Sequence, residues 1–180
     1  MLNPARFLEW VVPISLNVPV PGQVKRLAGD LEPDLYTFDR VRRTHTLGVK
    51  RLGERTPTEY AQLVPQVRRA IAGTPPFAVR ITGIETFGQP SLGTVPVVYL
   101  AVEGQALYAL NRRLSELFEP IEGIDGEAYT PHITLARGGS DEERTRLCER
   151  EISSIDWTVT ELVLWDATYE EVTTRFSLPI

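Results

Sequence analysis

Apolar positions along the chain recur with two periods, and the switches between them mark out the elements. Residues 6–16 place Phe7, Leu8, Trp10, Val11, Val12 and Ile14 in a dense run that predicts a strand. Past Pro19 and Pro21 the period lengthens, and Val24, Leu27 and Leu31 predict a helix over 20–31. A second strand is predicted over 41–50. A helix over 57–72 follows, opened by Thr56 as N-cap, Pro57 in the first turn and Glu59 as capping-box partner. Its stripe is Leu63, Val67, Ala70 and Ile71, and Gly73 closes it. Residues 77–87 alternate as a strand, 88–93 are turn-rich, and 95–102 form a buried strand. Leu107, Leu110, Leu114 and Leu117 set a helix over 106–118. A strand over 129–136 comes next, then a helix over 140–152 with a Ser140/Glu143 capping box, and two closing strands over 158–164 and 173–178.

This order mixes hairpin-like strand pairs with helices, so the expected class is α+β rather than a doubly wound parallel sheet. Each half holds a strand with one histidine followed by threonine and leucine, and then a helix. The expectation is one bilobal domain over 1–180: two similar lobes of antiparallel sheet with flanking helices, around a central cleft carrying both histidines. A length of 180 residues with 42% apolar content is enough for one core.

Charge and composition narrow the function classes. The net charge of −5, from 19 basic and 24 acidic residues, argues against a protein that coats nucleic acid or binds DNA specifically. Basic residues still gather locally at Arg40, Arg42, Arg43, Lys50, Arg51 and Arg55. They form either a solvated strand edge or a phosphate-facing patch. Cys148 has no second cysteine to pair with and reads as a helix residue. The apolar stretch 7–18 is short and broken by Pro13, so neither a signal peptide nor a membrane span is expected. A monomeric cytoplasmic enzyme fits this profile.

The chain has two histidines. His132 stands in Tyr129-Thr130-Pro131-His132-Ile133-Thr134-Leu135-Ala136-Arg137, and His45 in Arg43-Thr44-His45-Thr46-Leu47-Gly48. On a strand, His132 and Thr134 point to one face while Ile133 and Leu135 point into the core. That face then offers a group that trades protons near neutral pH beside a hydroxyl that can donate to a phosphoryl oxygen. One such strand histidine, taken alone, is more often a structural residue. Two in one chain supply the base and the acid that transfer at a phosphodiester requires. Two histidines are too few for a catalytic zinc site, and no His-Glu-x-x-His, Cys-x-x-Cys or acidic triad supplements them, so neither metal nor cofactor is expected.

His132-Ile133-Thr134-Leu135-Ala136-Arg137 resembles the second signature of the two-histidine (2H) phosphoesterases, in particular the RNA 2′,3′-cyclic phosphodiesterases also called 2′-5′ RNA ligases. The resemblance extends to the Arg6-Phe7 opening, Leu52-Gly53 after the first motif, the helix before Tyr129 and the closing Arg175-Phe176-Ser177-Leu178. It implies an RNA end or cyclic nucleotide as substrate, opened by water to a 2′-phosphate, with His132 as base and His45 as acid. It further implies Thr134 as a hydrogen-bond donor to phosphate and Arg137 as a phosphate clamp; Lys50 and Arg43 of the basic cluster are lesser phosphate candidates beside them. Tyr36, Phe38, Phe87 and Tyr129 are candidates to stack a base. The first motif departs from the family's His-x-Thr or His-x-Ser: Leu47 stands two residues after His45, and the hydroxyl is Thr46, one residue after it. A regular strand would turn Thr46 away from His45, so a bulge, Thr44 or Arg43 would have to make up the loss. Ligation through a 2′-5′ link, hydrolysis of an ADP-ribose type cyclic phosphate, and an RNA-end-binding module without turnover stay open beside hydrolysis.

Overall fold

The computed structural model describes residues 11–87 and 95–179. The Arg6-Phe7 opening and the 88–93 turn fall outside the described residues. Nine strands and four helices are described: β1 Val12–Val18, α1 Gly22–Leu31, β2 Arg40–Val41, β3 Leu47–Arg55, α2 Pro57–Ile71, β4 Phe77–Thr86, β5 Val97–Glu103, α3 Gln105–Leu117, β6 His132–Arg137, α4 Asp141–Cys148, β7 Ile155–Val159, β8 Glu161–Asp166 and β9 Glu171–Ser177.

The strands form two antiparallel sheets, one ordered β3-β1-β8-β9 and the other β2-β6-β5-β4-β7. This is the expected α+β class. The chain changes sheets where the sequence showed one continuous strand. The predicted strand over 41–50 divides into β2, an edge of the five-stranded sheet, and β3, an edge of the four-stranded one. His45 lies in the irregular crossing between them, not on a strand. The predicted strand over 158–164 divides likewise, β7 pairing with β4 and β8 with β1. The predicted helix over 140–152 stops at Cys148, because Leu147 is its only buried residue and nothing further on repeats the apolar spacing.

Both predicted capping boxes are present. Thr56 Oγ1 accepts from the Glu59 amide at 3.2 Å while Glu59 accepts from the Thr56 amide at 2.9 Å, and Ser140 and Glu143 do the same for α4. Such a cap contributes about 1 kcal/mol. Buried residues of both sheets, including Leu16, Leu47, Leu100, Ile133 and Leu135, belong to one continuous apolar cluster. Truncating one of these leucines to alanine costs about 2–5 kcal/mol. Val97, Tyr99 and Ala101 form a second, smaller cluster with Phe87.

Candidate active site

Strand β6 settles which side chains share a face. Ala101 pairs with His132, Tyr99 with Thr134 and Val97 with Arg137, but Val98 pairs with Ala136, leaving Leu135 without an opposite number. That extra residue is a β-bulge, which shifts the alternation by one position. Leu135 and Ala136 both turn into the core, and Arg137 comes round to the face of His132 and Thr134. Strict alternation would have sent Arg137 to the opposite side.

The His132 ring is fixed in place. Its Nδ1 donates to the Thr130 carbonyl at 2.7 Å, which leaves Nε2 as the lone-pair nitrogen of the neutral ring. Phe87 meets it edge-on with centroids 4.9 Å apart, and Tyr99 lies 5.4 Å away. Burial lowers the His132 pKa below the ordinary 6.5; the Thr130 carbonyl opposes this, and the Arg51 and Arg137 charges add to the lowering. Tyr99 donates to Glu85 at 3.3 Å, and burial together with that carboxylate pushes its phenol up to about 12, so it stays protonated.

His45 lies in the crossing between β2 and β3. The Arg42 amide donates to the Leu135 carbonyl at 2.8 Å and anchors the crossing to β6. Thr44 Oγ1 donates to Glu170 at 3.3 Å. Because 42–46 is irregular, strand alternation does not govern it, and Thr44, His45 and Thr46 all border one recess of about 410 Å³ with Asn17, Trp165 and Arg175. Burial lowers the His45 pKa most; Glu32 raises it, and Lys25 and Arg42 lower it.

Two bulges in β3 redistribute the basic residues. Asn17 pairs with Gly48 and Leu16 with Lys50, skipping Val49, while Ser15 pairs with Arg51 and Ile14 with Gly53, skipping Leu52. Val49 and Lys50 therefore both turn inward, and the expectation that Lys50 binds phosphate is corrected. Its ammonium is fully enclosed, donating to Asp125 Oδ2 at 2.7 Å and to the carbonyls of Arg51 and Glu119 at 2.9 and 3.0 Å. Those three bonds use all its donors. Asn111 completes the hub, donating to Asp125 at 2.9 Å and to the Val49 carbonyl at 2.8 Å.

Arg51 turns outward instead, close enough to His132 and Arg137 for its charge to act on both. Arg43 borders the His45 recess but pairs with Glu32 at 3.4 Å on the surface. The edge strand β3 contacts β6, and Tyr129 Oη donates to the Gly48 carbonyl at 2.8 Å between them. Arg42 is the common neighbour: its charge acts on His45 and on Arg137.

Of the aromatic candidates, Phe38 and Tyr129 are core residues and Tyr36 is largely exposed. Phe87 lies against His132. Sequence reading did not single out Tyr99 or Trp165, whose alternation in strands looks the same whether it faces core or site. Among the described residues, no three His, Cys, Asp or Glu side chains gather as a metal-ligand group, and no helix is long and apolar enough to cross a membrane.

Comparison with known proteins finds relatives of the chain. The family model described as "2′-5′ RNA ligase superfamily" matches residues 46–169. A Bacillus pumilus (strain SAFR-032) protein named as a phosphoesterase is 32% identical over 93 residues, and the match spans 51% of this chain and 51% of that protein. The matched part thus spans about half the length of this curated relative. Among solved structures, TT0787 of Thermus thermophilus aligns with a TM-score of 0.65 at 21% identity, covering 92% of this chain and 97% of its own. E. coli LigT complexed with 3′-AMP aligns with a TM-score of 0.65 at 15% identity, covering 95% and 100%. At these identities the structural likenesses speak for the fold.

Proposed function

Since the chain belongs to the 2′-5′ RNA ligase superfamily of 2H phosphoesterases, we propose that it is a metal-independent RNA 2′,3′-cyclic phosphodiesterase working by two-histidine acid–base catalysis. The observation that carries the reading is the single face of β6 that gathers His132, Thr134 and, through the bulge, Arg137. It is supported by the position of His45 at the entry to β3, the strand in contact with β6.

In this mechanism a cyclic phosphate sits between the imidazoles. The neutral His132 Nε2 takes a proton from water as the water oxygen bonds to phosphorus. The P–O3′ bond breaks, and a protonated His45 delivers its proton to the departing 3′ oxygen, leaving a 2′-phosphate. Thr134 and Thr46 donate to the non-bridging oxygens, and Arg137 clamps them, where negative charge accumulates. Proton exchange with solvent resets the pair. The held Nδ1 fixes the tautomer that a base on the Nε2 side requires. RNA ends are the substrate class, and the protein acts as a cytoplasmic monomer. The LigT complex with 3′-AMP gives a structural relative that holds a nucleotide.

Single substitution of either histidine tests the scheme. His45→Ala and His132→Ala should each lower kcat for 2′,3′-cyclic nucleotide hydrolysis by about 10²–10⁴ while the protein stays folded. Wild-type turnover should persist in EDTA. Loss of turnover in EDTA with rescue by added metal, or near-normal kcat for His45→Ala, would overturn it.

A further inference from the structure

Arg137 stands directly opposite Arg40 in the ladder between β2 and β6. Residues so paired share a face with Cβ atoms about 5 Å apart, and like charges there repel. Val41 packs on the core and Arg42 is exposed just past it, its amide bonded to the Leu135 carbonyl of β6. Arg51 joins them from the outward side of β3. All three charges act on Arg137. Among the described residues, none of the four has a carboxylate within ion-pair distance.

The chain is acidic as a whole, so this cluster is not part of a general basic excess. A cyclic phosphodiester carries one negative charge, and Arg137 beside Thr134 is enough to meet it. Three guanidiniums remain, held together at a cost to the free protein that a second anion would relieve. Arginine forks suit phosphate oxygens, and a phosphate group would supply the counter-charge that no described carboxylate brings within ion-pair distance.

We infer that Arg40, Arg42 and Arg51 form a second phosphate subsite, which takes another phosphate group of the same substrate. The protein therefore selects cyclic-phosphate nucleotides that carry a further phosphate over those ending in a bare 5′ hydroxyl. The inference rests on the phosphodiesterase reading for which phosphate reacts, but binding at the subsite does not need turnover. The second group is either a terminal phosphate or the diester of a longer chain.

Calorimetric titration of the product-like ligands separates these cases. Adenosine 2′-monophosphate is the reference, against adenosine 2′,5′-bisphosphate and a diadenosine dinucleotide ending in a 2′-phosphate. The second phosphate should tighten binding about tenfold or more at low salt, and less as salt rises. Tightening by the bisphosphate alone assigns a terminal phosphate, and tightening by both assigns the subsite to oligonucleotides. In the Arg42→Gln, Arg51→Gln double variant the affinity ratio should fall toward one, whereas Arg137→Gln should weaken all ligands together. Equal affinities in the wild type, or a ratio the double variant leaves unchanged at an unaltered melting temperature, overturn the inference. Parallel kcat/KM measurements on 2′,3′-cyclic AMP with and without a 5′-phosphate keep the two readings apart. A surviving binding ratio without turnover defeats the phosphodiesterase reading alone; turnover with equal affinities defeats the subsite alone.

Discussion

At the scale of single residues, the two imidazoles begin from the same bias. Burial lowers both pKa values, so each ring prefers to be neutral in the free protein. A base gains from that preference and an acid does not. The kcat/KM profile of the free enzyme should therefore peak on the acid side of 6.5 and already decline through neutrality. The decline of kcat should come at higher pH, because bound phosphate favours the charged His45. A kcat/KM optimum above neutral would contradict this assignment. Lys50 is the other decisive residue. Lys50→Ala would leave Asp125 buried without its partner, and chemical denaturation should register a loss of about 3–5 kcal/mol. A loss under 1 kcal/mol would mean that the hub does not hold β3 in place. Nothing in the sequence separates Lys50 from Arg51, since both are basic neighbours on a strand, and two bulges decide which one is enclosed.

At the scale of elements, legibility followed local chemistry. The caps of α2 and α4 were plain because Thr56/Glu59 and Ser140/Glu143 act within one helical turn. The His132–Thr134 face was plain because period two needs no tertiary information. Arg137 reaches that face through a bulge at Leu135, which depends on β5 and leaves no local mark. The change of sheets within 41–50 was hidden for a similar reason: each short segment obeys strand patterning, and the partner strand alone distinguishes them. With it went the placement of Thr46, whose irregular backbone brings it to the His45 recess without a regular strand. The β2–β6 ladder also makes a prediction. Arg40→Gln removes one member of a directly opposed like-charge pair, so the melting temperature should rise by about 1–3 °C. A fall would show that Arg40 has a compensating partner.

At the scale of the whole molecule, each of the two sheets combines strands far apart in sequence. The same histidines tie stability to pH. Their folded pKa values lie below the unfolded 6.5, so the unfolded chain binds more protons as pH falls past 6.5, and stability drops until the folded pKa values are passed. The urea midpoint should be lower at about pH 5.5 than at about pH 7.5, and His132→Gln should shrink that difference. An unchanged difference in this variant would remove His132 as a cause. Asp125 adds a later loss. Burial works against its charge, yet Lys50, the Ile121 amide and Asn111 hold its pKa below 3.8, so its contribution disappears only in stronger acid. The most direct test of the central claim is phosphorus NMR of 2′,3′-cyclic AMP incubated with the protein in EDTA. One product, adenosine 2′-phosphate, should form with the wild type and not with His45→Ala or His132→Ala on the same timescale. Adenosine 3′-phosphate as the product, or an unchanged substrate signal with the wild type, would contradict it.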